Sequence, residues 1–194
     1  MAYQPRILAF AGSTRRDSYN KKLVKVAAAG ARAAGAEVTY LDLRDLPLPL
    51  FDLDLEAAEG MPANARRLKE LMSQHDGLLI ASPEYNSSIS GVLKNAIDWM
   101  SRRETPDERP LVAFAGKVAA IMAASPGALG GLRGLVHLRA ILGNIKVIVL
   151  PDQVAVPKAN EAFDEAGSLK DPGQRESVEG LGRTLAGVLA KLKG

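Results

Sequence analysis

The sequence predicts a doubly wound α/β domain built on a parallel sheet. Short apolar runs without polar alternation, at 7–11, 78–81, 118–124 and 147–150, suit parallel strands covered on both faces. Between and after them lie apolar stripes at helical spacing. Their regular alternation along the chain is the βαβα pattern of an open sheet with helices on both faces.

The first strand, Leu8-Ala9-Phe10-Ala11 with Ile7, runs into a helix that places Leu23, Val26, Ala27, Gly30 and Ala34 on one face. Val38-Thr39-Tyr40-Leu41 is a second, more polar strand. Residues 43–61 hold Pro47, Pro49 and the acids Asp52, Asp54 and Glu56, and read as a solvated surface loop. Ala65, Leu68, Met72 and His75 form the next stripe and lead to the third strand at 78–81. His75 reads as a packed or capping residue on this stripe. Val92, Ala96 and Met100 mark the following helix, with Trp99 expected at its rim or at a subunit contact. The fourth strand, 118–124, precedes a helix striped by Leu132, Leu135, Val136 and Leu142, with His137 at its surface. The fifth strand, 147–150, is followed by a loop over 151–173 and a last helix carrying Val178, Leu181, Leu185, Val188 and Leu192. Five strands with short crossovers match the order 2-1-3-4-5, in which a ligand sits between the carboxyl ends of strands 1 and 3.

A chain of 194 residues suits one domain, 1–194, with a sizeable core. Cysteine is absent, which excludes disulfides, thiol nucleophiles and thiolate metal sites and suits a cytoplasmic protein. The opening Met1-Ala2-Tyr3-Gln4-Pro5-Arg6 lacks the apolar core of a signal peptide, and no apolar run approaches the ~20 residues of a membrane span. The net charge of +3 is scattered, which suits small anionic ligands and argues against a nucleic-acid partner. Neither histidine has a partner at metal-ligand spacing, so no metal is expected.

The most informative segment follows the first strand: Gly12-Ser13-Thr14-Arg15-Arg16-Asp17-Ser18-Tyr19-Asn20. A glycine turn, a hydroxyl- and arginine-rich loop and a helix start together suit a phosphate. Backbone N–H groups at a helix N-terminus face an anion, and the helix dipole favours its charge. The dinucleotide fingerprint G-x-G-x-x-G and the triphosphate loop G-x-x-x-x-G-K-[ST] are both absent, which favours a phosphate monoester such as that of FMN. Read alone, the segment also fits a ligand-free strand-to-helix turn.

If that loop binds a ligand, the loop after strand 3 should carry recognition groups too. It reads Ser82-Pro83-Glu84-Tyr85-Asn86-Ser87-Ser88-Ile89-Ser90-Gly91, offering an aromatic ring, an amide and backbone held near Pro83. Beside it lies Ser125-Pro126-Gly127-Ala128-Leu129-Gly130-Gly131, where close backbone approach to a planar ligand would account for the glycines.

At these residues the sequence resembles the NADPH-dependent FMN reductase family, whose members include soluble quinone, chromate and azo-dye reductases. The likeness rests on Gly12-Ser13-Thr14-Arg15 with Ser18 and Asn20, on Ser82-Pro83-Glu84-Tyr85-Asn86, and on Gly91-Val92-Leu93-Lys94-Asn95-Ala96-Ile97-Asp98-Trp99 with Ser101-Arg102. It runs from about residue 6 to 150. The resemblance implies a flavodoxin-like three-layer sandwich, bound FMN, and NADPH or NADH as electron donor. It places Gly12, Ser13, Thr14, Arg15, Ser18, Tyr19 and Asn20 about the FMN phosphate. It places Pro83, Glu84, Tyr85 and Asn86 along the flavin, and Ser125 and Gly127 at the ring's other edge. It also implies a homodimer or homotetramer acting on small-molecule acceptors: quinones, azo compounds, metal oxyanions or free flavin. The family often has proline where this chain has Ser90; losing it frees φ, so the loop over the ring is expected to be looser. No catalytic side chain is assigned, since hydride transfer is the cofactors' chemistry and the protein positions them. Arg102 and Arg103 suit either the extra phosphate of NADPH or the dipole of a helix end. The alternatives are a flavodoxin-type electron carrier, usually strongly acidic where this chain is slightly basic, and an FMN-binding protein without turnover.

Overall fold

The computed structural model describes residues 3–193. Its elements are β1 (Arg6–Ala11), α1 (Tyr19–Ala33), β2 (Glu37–Leu41), a 3-10 turn (Leu43–Asp45), α2 (Leu53–Glu59), α3 (Ala63–Ser73) and β3 (Gly77–Ala81). They continue through β4 (Glu84–Tyr85), β5 (Ser88–Ile89), α4 (Gly91–Met100), β6 (Val118–Ala124), α5 (Leu132–Asn144), β7 (Ile148–Val156), α6 (Ala159–Ala162) and α7 (Pro172–Lys193). Five strands form one parallel sheet in the order β2-β1-β3-β6-β7, the doubly wound flavodoxin-like order the sequence predicts.

Successive strand residues point to opposite faces, and the sheet therefore owns two cores. Ile7, Ala9 and Ala11 of β1 join Leu79, Ala120 and Met122 beneath α1 and α7. Leu8 and Phe10 join Leu78, Ile80 and Ile121 against α3, α4 and α5. The helices α1 and α7 approach until a side chain at Gly182 would lie 2.0 Å from the Ala27 carbonyl oxygen, and one at Gly30 2.1 Å from that of Glu179. Only glycine permits that contact.

Several expectations are corrected. Residues 43–61 are more than a loop: Asp52 accepts a hydrogen bond from the Asp54 N–H and caps α2, and Glu56 pairs with Arg102 at 2.9 Å. Trp99 does not sit at a rim. It is fully buried, edge-on to Phe51 at 5.0 Å, and its Nε1 donates to the Pro49 carbonyl. The fifth strand runs on to Val156, past Pro151. Its pairing with β6 jumps from Ala119–Val149 to Ile121–Gln153, so Pro151 falls in an irregularity on an edge strand, where its missing N–H breaks no ladder bond. Arg139 holds this segment by donating to the carbonyls of Leu150 (2.8 Å) and Pro151 (3.2 Å). On α5 the buried stripe is Leu135, Leu138 and Leu142, while Leu132 and Val136 are exposed. His75 lies just past the end of α3, buried, bonded to the Leu71 carbonyl and the Thr39 hydroxyl, in keeping with a packed capping residue.

Candidate active site

The loops after β1, β3 and β6 leave the sheet side by side at its carboxyl end, where the chain turns from β1 toward β2 on one side and from β3 toward β6 on the other. Hydrogen bonds tie the starts of these loops and of α1 to the neighbouring strands. The Gly12 N–H donates to the Ala81 carbonyl at 2.9 Å, and the Ser82 N–H to the Met122 carbonyl at 2.8 Å. The Asn20 carboxamide donates to the Ala124 carbonyl and accepts from the Ala124 N–H, both at 2.9 Å. Asn20 is 3% exposed, so it acts as a clamp between α1 and the end of β6.

The first loop has the features of an anion cradle. Ser18 is the N-cap of the 15-residue α1, is nearly buried, and makes no side-chain bond to its helix. The first turn of α1 carries no acidic residue, so its dipole is uncompensated there. Among the described residues the backbone N–H groups of Ser13 and Thr14 have no acceptor. The Ser13 hydroxyl accepts from the Arg15 N–H at 3.3 Å, folding the loop on itself. Arg15 is exposed, with its guanidinium 5.4 Å above the Tyr19 ring, which stacks on Phe163. Gly12 has a packing role: a side chain there would meet the Leu93 Cβ at 2.8 Å, so the turn rests on α4.

The second loop is a hairpin. Asn86 and Ser87 both have positive φ (51° and 64°) and form a two-residue turn between β4 and β5, of the kind that matches strand twist. Pro83 is buried, and Tyr85 stands out at 58% exposure. Glu84 turns to α5 instead of the rim. Its carboxylate accepts from Arg133 Nε at 2.8 Å and from the Gly134 N–H at 3.2 Å. Burial alone would raise the Glu84 carboxyl, but the Arg133 guanidinium and the Gly134 N–H outweigh it and hold it below the usual carboxylate range. His137 bonds with the Ser88 hydroxyl at 2.9 Å on the same surface.

In the third loop, Gly130 and Gly131 have positive φ and pack against Val156 and Ala123, so their own fold requires them without a ligand. Gly127 is the open one: a side chain there would meet only the Ser125 hydroxyl, which accepts from the Gly127 N–H at 3.3 Å. The expected looseness at Ser90 is also corrected. Ser90 is 2% exposed, its hydroxyl donates to the Gly12 carbonyl at 2.6 Å and accepts from the Leu93 N–H at 3.1 Å, capping α4. A serine just before a helix signals the cap, but nothing in the sequence signals the bond to Gly12. Arg102, already paired with Glu56, also lies over the Phe51 ring, consistent with a helix-end structural role.

Residues 5–161 match the family model described as NADPH-dependent FMN reductase. The chain belongs to that family. It is 38% identical over 190 residues to an NAD(P)H-dependent FMN reductase of Pseudomonas aeruginosa, with 97% of each chain covered. It is 36% identical over 187 residues to a quinone reductase of Escherichia coli, with 93% of each covered. The flavoenzyme NAD(P)H:(acceptor) oxidoreductase FerB of Paracoccus denitrificans has a solved structure that superposes with a TM-score of 0.79 at 28% identity. That match covers 96% of this chain and 98% of the other. As a member of the FMN reductase family the chain is an oxidoreductase, and FMN with a nicotinamide donor are the cofactors that go with the family. Among the described residues no helix is long and apolar enough to cross a membrane, and no cluster of three metal-binding side chains occurs.

Proposed function

We propose that the protein is an FMN-dependent NAD(P)H oxidoreductase whose acceptors are quinones and related small molecules, with azo compounds, metal oxyanions and free flavin as further candidates. The observation that carries this reading is the first loop: the N–H groups of Ser13 and Thr14 and the Ser18 hydroxyl at the head of α1, without acceptors or partners among the described residues, and the nearby Arg15 cation. These groups fit a dianionic phosphate monoester, which gains charge-assisted bonds and the helix dipole. Ser13, Thr14, Arg15 and Ser18, with Tyr19 and Gly12 shaping the turn, would hold the phosphate of FMN. Pro83, Tyr85, Asn86, Ser125 and Gly127 would flank its ring. When bound, FMN supplies the two-electron exchange, so that NAD(P)H, a solvent proton and a quinone become NAD(P)+ and quinol. The chain itself supplies position. Asn20 and Ser90 fix the loops to one another, and the Glu84 carboxylate is occupied by Arg133, which keeps it from acting as a proton donor near neutral pH.

A homodimer or homotetramer belongs to the same reading. It is supported by large apolar side chains left in solvent on the hairpin and the start of α5: Tyr85, Leu129, Leu132 and Val136. Light scattering behind a sizing column tests it. The activity is tested by anaerobic stopped-flow absorbance of the FMN-loaded protein mixed with NADPH or NADH, followed by a quinone. Rapid two-electron bleaching and its reversal by the quinone are expected. Flavin that neither nicotinamide reduces would leave a carrier or sensor, and failure to bind FMN would overturn the reading.

A further inference from the structure

We infer that Ser90 is a positioning residue that aims the phosphate loop, acting through the Gly12–Ser13 peptide; this rests on the FMN reading above. Its hydroxyl has one proton, given to the Gly12 carbonyl at 2.6 Å, and it accepts the Leu93 N–H at 3.1 Å. Both bonds lie in a site that is 2% exposed, so water does not replace them. The Gly12 N–H is held in turn by the Ala81 carbonyl at 2.9 Å. The peptide groups on both sides of Gly12 are therefore pinned, one to β3 and the other to the first turn of α4.

The consequence follows from peptide geometry. In a planar trans peptide the N–H points opposite to the preceding C=O. By holding the Gly12 carbonyl toward α4, Ser90 directs the Ser13 N–H away from α4. That N–H has no acceptor among the described residues and is one of the donors assigned to the phosphate. The contact between Gly12 and Leu93 seats the same turn on α4, so the helix start is the platform on which the loop is set. Alanine or proline at position 90 leaves the backbone in place but releases the Gly12 carbonyl, and the Ser13 N–H loses its aim.

A positioning role on the phosphate and a merely structural one differ in their ligand dependence. The experiment titrates apo wild type, Ser90→Ala, Ser90→Pro and the control Lys94→Gly with FMN and, separately, with riboflavin, which lacks the phosphate. Misaiming one phosphate donor, the Ser13 N–H, predicts about a fivefold rise in the FMN Kd of both Ser90 variants, with riboflavin changed less than about twofold. Lys94→Gly weakens the same helix from an exposed position without touching Gly12, and should leave both affinities unchanged. Equal losses for FMN and riboflavin, or unchanged FMN affinity, would overturn the positioning role. A wild type that binds FMN no better than riboflavin would overturn the phosphate-loop reading itself, and this inference with it.

Discussion

Replacing Asn20 by alanine separates two roles that its place in the sequence leaves merged, phosphate ligand and internal clamp. In the structure its carboxamide satisfies both the N–H and the C=O of Ala124, at 2.9 Å each, in a site 3% exposed. Alanine strands both backbone groups away from water. A buried group left without its partner costs about 1–3 kcal/mol, so about 2–6 kcal/mol is expected for the two. For a chain of this size that is a fall in Tm of about 4–24 °C. Urea or thermal unfolding of the flavin-free protein is the assay, because a ligand role contributes nothing there. Asn20→Asp sharpens the test. One oxygen still accepts the Ala124 N–H, but the other now faces the Ala124 carbonyl. Burial and that carbonyl favour the neutral acid, raising the folded-state pKa above the unfolded value. The folded state then gains protons as pH falls, so the deficit against wild type should be largest at neutral pH and shrink on acidification. An Asn20→Ala protein within about 0.5 kcal/mol of wild type without flavin, yet weakened toward FMN, would refute the clamp and return Asn20 to the ligand set.

Arg15→Ala should weaken FMN about 10- to 100-fold, the loss of a charge-assisted bond, and leave riboflavin unaffected; a fluorescence titration with both ligands checks it. Gly182→Ala places a methyl 2.0 Å from the Ala27 carbonyl oxygen and should cost about 3 kcal/mol or more by forcing α1 and α7 apart, read by urea denaturation. Burial alone would raise the Asp76 carboxyl, but bonds from Lys193 and from the Arg6 N–H, with the Tyr3 hydroxyl nearby, bring it down to about 2. A depressed carboxyl stabilises the fold above its unfolded pKa and loses that contribution as pH falls. The advantage of wild type over Asp76→Asn should therefore be full above about pH 4, amount to about 2 kcal/mol, and vanish as pH falls toward 2. A pH-independent difference in unfolding free energy would show that Asp76 does not act through its charge.

The sheet was legible because its signal is local and redundant. The runs 7–11, 78–81 and 118–124 are buried on both faces, so every position must be apolar and no register ambiguity arises. The βα alternation then leaves few topologies, and the loops at 12–20, 82–91 and 124–131 fall together at the carboxyl end of the sheet by necessity. What failed locally failed for identifiable reasons. Pro151 reads as a strand stop, yet on an edge strand with an irregular partner its missing N–H breaks nothing, and Arg139 replaces the lost order. The acids Asp52, Asp54 and Glu56 read as solvated, yet one caps α2 and another is held by Arg102.

The residues of the site divide along the same line. A residue whose task is to meet a ligand is visible by type: hydroxyls and an arginine between a strand and a helix suit an anion, and here the loops after β3 and β6 supply the second signal. A residue whose task is to hold another residue declares nothing, because its partner is remote in sequence. Asn20 reaches across 104 positions to Ala124, and Ser90 across 78 to Gly12. Both read as candidates for something else, a phosphate ligand and a loosened turn. Both are buried polar groups, and burying a hydroxyl or amide without a partner is costly enough that each must have found one. Under the proposed FMN reading, the composition of the loops specifies the kind of ligand they suit, and buried side chains remote in sequence, such as Asn20 and Ser90, set how the loops are held. Substituting the first kind should change which ligand binds; substituting the second should change how well the loops are arranged to bind it.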